Sequence, residues 1–267
     1  MNLSRLDSSR EPFPPLPGVP PAPAPPGQRV PWSGSDRNVR RWAGVSGVAV
    51  FVVFVVALPL YFVGFNPDLR LENSIEFANY VARVSSSILI RATLADPLIM
   101  AGLLIFLAGF RHLIRQARGD YEWVATLMFG TGLVVIAIWL VGDGLEGGAA
   151  LDASAADPTA VRALIEASLP MYGAIGLVLS ALLLTLAGYA TMGTEVLPRW
   201  TARVAYGAAI LNLAAAPSIL GGTNPTGFYT AAGYATNIGQ AALVIWFLVG
   251  SISMLAKREP APAAQRS

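Results

Sequence analysis

Charged and amide side chains inside apolar runs are the groups of this chain best placed to do chemistry. Asp96 stands directly before the run PLIMAGLLIFLAGF, and Arg91 lies five residues ahead of it. A charge at the bilayer centre costs about 2.5–3.5 kcal/mol on insertion scales, so an acid within a span marks a functional site by default. Depth decides its role. If the membrane helix starts at Pro97, Asp96 sits at the interface and caps it, accepting from free backbone N–H groups, with Pro97 at the first helical position. If the helix starts near Ser86, Asp96 lies about 15 Å inside and Pro97 kinks the helix. Capping is the expectation. On a continuous α-helix Arg91 and Asp96 point about 140° apart and share no face, whereas a break at Asp96 brings them together.

Asp143 and Glu146, spaced i, i+3, share a face only if their helix continues. The surrounding Gly142, Gly144, Gly147 and Gly148 argue that it ends. With Arg91 and Asp96 these acids would line the outer mouth of a bundle and bind a cation, or a divalent metal through oxygen. A solvated acidic loop is the plainer reading. Asn212, Asn237 and Gln240 fall in two later apolar runs. They are expected to hydrogen-bond between helices, for about 0.6–2 kcal/mol each, with a polar cavity as the alternative. His112, flanked by Arg111 and Arg115, is expected at lipid headgroups. The candidate ligand-binding set is thus Arg91, Asp96, Asp143, Glu146, Asn212, Asn237 and Gln240, with no catalytic, metal or cofactor assignment. A single histidine excludes bis-histidine haem from one chain, and the lack of cysteine excludes disulfides and thiolate metal sites. No Gly-Lys-Ser/Thr phosphate loop and no nucleophile–histidine–acid pattern is present, so an enzyme is the less favoured reading.

The elements that position these groups follow from composition. Of 267 residues, 54% are hydrophobic and 13% charged, about half the charge of a soluble domain. Mean hydropathy is +0.56. The expected fold class is all-α, a polytopic membrane helix bundle. Six spans are read: Trp42–Phe65, Pro97–Ile114, Trp123–Val141, Leu169–Thr191, Val204–Leu220 and Tyr234–Leu255. Between the first two, Ile75, Tyr80, Val81, Val84 and Ile88 recur at helical spacing, predicting an amphipathic surface helix over about 72–94. Asp157 followed by Pro158 predicts a short capped helix over 157–167. Residues 1–41 form an arm with ten prolines between Pro12 and Pro31; it is expected to be disordered and polyproline-II-like. The arm acts as a spacer or, through its PxxP spacing, as a docking segment. Arg40-Arg41 reads as a start-of-span anchor rather than an export signal. Residues 257–267 form a disordered tail.

Six spans put both termini on one side. Fourteen of the 18 basic residues fall on that side; the other holds Arg70, Arg83, Arg91 and Arg162 with nine acids. The positive-inside rule then makes both termini cytoplasmic. Near-exclusive use of arginine, with Lys257 the one lysine, accompanies GC-rich bacterial genomes, and a bacterial cytoplasmic membrane is the expected location. Arg111, Arg115 and Arg118 are expected to favour anionic lipid headgroups, for about 1 kcal/mol each. Gly102 with Gly109, and Gly173 with Gly176, are packing signals.

Leu89-Ile90-Arg91 followed by Asp96, then MYGAIGLVLSALLLTLAGYA at 171–190, then LPRW at 197–200, resemble the bacterial membrane proteins catalogued as domain of unknown function 4386. The resemblance spans about residues 42–256. It implies a multi-span membrane domain and carries no activity with it. Two functions follow. One is a small bundle that binds or moves a small solute through an acidic outward-facing mouth. The other is a non-enzymatic structural or accessory subunit engaging a protein partner or a second copy of itself. No nucleic-acid partner is expected.

Overall fold

The computed structural model describes residues 34–63, 73–223 and 227–256. The proline-rich arm up to residue 33 and the tail from 257 lie outside the described residues. All elements among the described residues are helical: α1 (Gly34–Val63), α2 (Ser74–Ile90), α3 (Asp96–Ala117), α4 (Glu122–Leu151), α5 (Pro158–Pro170), α6 (Gly176–Thr194), α7 (Arg199–Ala215) and α8 (Tyr234–Ala256). Six helical segments are long and apolar enough to cross a bilayer, which makes the chain a multi-pass membrane protein.

The spans pack as a closed ring in chain order: α1 on α3, α3 on α4, α4 on α6, α6 on α7, α7 on α8, and α8 back on α1. Its interior is filled by Phe106 and Phe110 of α3 against Trp246 and Phe247 of α8. The Phe106 ring stands edge-on to Trp246 at 5.9 Å and to Phe247 at 5.0 Å, a favoured aromatic geometry. Small residues let the backbones close up, as expected for Gly102 and Gly109. A Cβ on Gly102 would lie 2.4 Å from Val50 Cγ2, and one on Gly109 2.6 Å from Ala43 Cβ.

Three expected boundaries change. Residues 34–41, assigned to the arm, are helical and open α1. The segment at 72–94 is helical as predicted, but it does not stop before the second span. α2 runs through a π-helical turn, Arg91–Ala95, straight into α3, one 44-residue helical segment from Ser74 to Ala117. Its apolar face is covered by protein: Phe77, Ala78 and Val81 pack on Ala149 and Ala150 of α4, on Ala153, and on Val161 of α5. α4 likewise continues ten residues beyond Val141. Its glycines do not end it because Asp143, Ala149 and Ala150 are buried there, and packing outweighs the roughly 1 kcal/mol helical penalty of each glycine.

α5 is capped as the sequence predicts, with Asp157 accepting from the Thr159 N–H at 2.7 Å. It too joins its span through a π turn, Met171–Ile175, where Gly173 takes non-helical dihedrals of φ −82° and ψ −112°. Thus α2, the end of α4 and α5 form a three-helix cap over one end of the ring. π turns connect the cap to α3 and α6, each beside a proline, Pro97 or Pro170. Proline removes a backbone donor and crowds the carbonyl four residues back; for Pro97 that carbonyl belongs to Thr93, inside the first π turn, whereas Pro170 ends α5 just before the second.

Candidate functional site

At the seam between cap and ring, three acids, one arginine and two tyrosines from four helical segments come together. Arg91 and Asp96 lie at either end of the first π turn, where the Asp96 N–H donates to the Arg91 carbonyl five residues back. That i→i+5 bonding stacks residues five apart, which an α-helix cannot do. Arg91 Nε therefore lies 3.5 Å from Asp96 Oδ2, while Arg91 Nη2 pairs with Glu146. Asp96 is not the helix cap expected above. The residue before it is already helical, and its carboxylate takes the Tyr61 hydroxyl of α1 and the Arg91 guanidinium, which also lies 5.1 Å over the Tyr61 ring.

Unbroken helix through the glycines keeps Asp143 and Glu146 on one face of α4. Tyr172, in the second π turn, donates to Asp143 Oδ1 at 2.5 Å. It gets there because its ring lies on Gly142, where a Cβ would sit 2.7 Å from the ring carbon Cζ. The Ser168 hydroxyl donates to Glu146 Oε1 at 3.0 Å. Gln240 of α8 holds the turn from behind, its Nε2 donating to the Tyr172 carbonyl at 3.2 Å. Asp96 and Asp143 are 6% and 3% exposed. Asp143 Oδ2 meets no donor among the described residues.

Height along the helices is consistent. Asp96 lies 19 residues from Arg115, Asp143 20 residues from Trp123, and Tyr61 20 residues from Arg41. At 1.5 Å per residue each group stands about 30 Å from the basic end, one hydrocarbon thickness.

The expected set divides. Arg91, Asp96, Asp143 and Glu146 converge, and Gln240 braces them. Asn212 lies apart, buried between α7 and α8, donating to the Ala208 and Gly239 carbonyls at 2.8 Å each, as an interhelical bond. Asn237 is exposed on α8. Sequence reasoning missed Tyr61, Ser168 and Tyr172. Tyr61 had the signal of an aromatic ending an apolar run, which reads equally as an interface anchor. Among the described residues, no three His, Cys, Asp or Glu side chains are arranged to hold a metal ion.

At the opposite end, His112 Nε2 lies 2.9 Å from Asp36 Oδ1, a protein contact where a headgroup contact was expected. Arg115 pairs with Glu122 at 2.8 Å and Arg118 with Asp120 at 2.7 Å. Arg111 reaches Thr126 at 3.3 Å and lies 5.4 Å over the Phe129 ring. Fold and site together define a multi-pass helical membrane protein with a buried ionic cluster under a helical cap. No family model matches the chain, and no curated protein or solved structure matches it.

Proposed function

We propose that the protein binds a monovalent cation, or the cationic group of a small solute, at the Arg91–Asp96–Asp143–Glu146 cluster and passes it across the membrane. One observation carries the reading: the carboxylates of Asp96 and Glu146 share one guanidinium, with a third buried carboxylate, Asp143, one turn from Glu146 on α4, in a nearly dry site shared by separate helices. Such a site favours positive charge, and its helices can part. The acidic mouth read from the sequence is here a closed, capped cluster, so the cap has to tilt at the two π turns for a solute to enter. π turns inside α-helices accompany functional sites. The charge division supports a bacterial cytoplasmic membrane with both termini cytoplasmic and the cap outside. Half-exposed Arg115 and Arg118 leave room for anionic headgroups beside their acidic partners. Membership of the family resembled over residues 42–256 belongs to the same proposal.

Sodium, potassium and methylammonium are the first probes. Each is titrated into protein in lipid nanodiscs while the thermal unfolding midpoint is read, since a ligand of the folded state stabilises it. At least one probe is expected to raise the wild-type midpoint and to leave Glu146→Gln unmoved. Equal shifts in both proteins, or none with any probe, overturn the reading.

A further inference from the structure

We propose that a hydrated polar track runs from Asp143 down the α4–α6 seam to Ser180, and that it is the inward route of the bound cation. The route rests on the reading above; the track itself rests on geometry.

α4 and α6 pack on one another, and their contacts step inward one turn at a time. At the outer level the Tyr172 ring lies on Gly142 and its hydroxyl donates to Asp143 Oδ1 at 2.5 Å. Four residues before Asp143 on α4, and four after Tyr172 on the other strand of the seam, Trp139 meets Gly176. A Cβ on Gly176 would lie 2.7 Å from the indole Nε1, so only glycine admits that approach. Four residues further along α6 comes Ser180, which is 0% exposed. Residues four apart lie on one helix face, so the three levels line up.

Each level ends in a buried polar atom that meets no hydrogen-bond partner among the described residues: Asp143 Oδ2, Trp139 Nε1 and Ser180 Oγ. Such atoms are rare in folded proteins and costly, yet here three follow one another along a single seam. Thr185 and Thr194 of the same helix show the usual remedy, turning back on the Ala181 and Ala190 carbonyls at 2.8 and 2.7 Å. Ser180 does not take it. The three atoms also differ in kind: a carboxylate oxygen accepts, an indole N–H donates and a hydroxyl does both. Water answers all three. One helical turn, about 5.4 Å, is the span of two water hydrogen bonds end to end.

The track has a floor. Ser180 stands 14 residues from Thr194 at the basic end of α6, about 20 Å. Trp246 of the aromatic interior stands 10 residues from the same end of α8, about 15 Å. The polar seam therefore carries a cation from the cluster toward mid-membrane, where charge is otherwise most costly, and the Phe106–Trp246 layer closes it below.

The chain has no cysteine of its own, so single cysteines test the seam. Silver ion, a monovalent cation that binds thiolates, is added to Ser180→Cys in nanodiscs, and the thiols left free are counted with maleimide after unfolding in detergent. Ser180→Cys is expected to lose its label. Ser251→Cys, equally 0% exposed but with a hydroxyl that meets the Phe247 carbonyl at 2.7 Å, is expected to keep it. Equal labelling of the two overturns the proposal. A second measurement needs no variant, so it decides the matter even if Ser180→Cys fails to fold. Hydroxyl-radical footprinting of the wild-type protein in nanodiscs should oxidise Trp139, beside the track, and spare Trp246. Equal oxidation of both tryptophans, or of neither, overturns the track. Silver blocking of Ser180→Cys that sodium, potassium and methylammonium all fail to slow supports the track and counts against the cation-binding reading, and with it the route.

Discussion

Arg91 is the residue on which the cluster depends. It is a cation with a side chain only 16% exposed, between two acids, and removing one member of such a group leaves the others unpaired in a largely dry site. Arg91→Ala is expected to destabilise the protein by about 3–5 kcal/mol, read as a lower unfolding midpoint in nanodiscs. Adding Glu146→Gln should recover part of that loss, because the two residues share one interaction. Additive effects of the two changes would show that the pair does not couple. That Arg91, Asp96, Asp143 and Glu146 lie together at one end of the bundle was legible in the sequence, because charge beside an apolar run is rare and costly. The contact of Arg91 with Asp96 was legible only as the alternative in which the helix breaks. It depends on a π turn that moves Asp96 round to Arg91, and helical periodicity read from the sequence assumes the turn is absent. Tyr61 and Tyr172 were hidden for a related reason: an aromatic near a span end reads the same whether it meets lipid or a carboxylate.

Among the elements, α4 shows best where pattern and packing part. Four glycines within seven residues, 142 to 148, carry a local preference to end the helix. The cap built by Phe77, Val81 and Val161 keeps them helical. Each glycine can then be tested for close approach. Gly142→Ala places a methyl 2.7 Å from Tyr172 Cζ and should push the ring away from Asp143. The expected cost is about 1–3 kcal/mol, with loss of the cation-dependent rise in midpoint. Gly144→Ala, whose Cβ would meet nothing within 4 Å, should instead be neutral or slightly stabilising. Equal effects of the two would refute the role given to the Tyr172 contact. The Asp157-Pro158 start of α5 was legible to the residue, since capping chemistry is local and does not wait for tertiary contacts.

For the whole molecule, the number of spans and their alternation were legible because apolar length and charge placement are coarse signals that survive errors of several residues at each boundary. Two helices of the cap, α2 and α5, were legible as well; their packing with the end of α4 into one cap was not, since the glycines after Val141 read as a loop. Topology is directly measurable because the chain has no cysteine of its own. Single cysteines at Ser154, in the cap, and at Gly119, beyond the basic end of α3, should react oppositely with a membrane-impermeant maleimide on intact cells. Ser154→Cys is expected to be labelled and Gly119→Cys to be protected until the cells are opened. The reverse pattern would invert the orientation, and labelling at both would remove one span.

The ring of spans also sets an order of assembly. Each span from α3 onward packs on the one made just before it, so most contacts join neighbours in sequence, the low contact order associated with fast folding. The α1–α8 seam is the exception: it joins the first span made to the last. There the Arg40 Nε donates to the Met254 carbonyl at 2.8 Å, and a Cβ on Gly47 would lie 1.9 Å from Ser251 Oγ. Until α8 leaves the ribosome, the growing bundle is an open arc with Phe106 uncovered and the small-residue face of α1 turned to lipid. A chain stopped before Tyr234 should therefore insert its first five spans yet be cleared by membrane proteases faster than the full chain, measurable by pulse-chase. Completion of the last helix is what turns an inserted chain into a durable one.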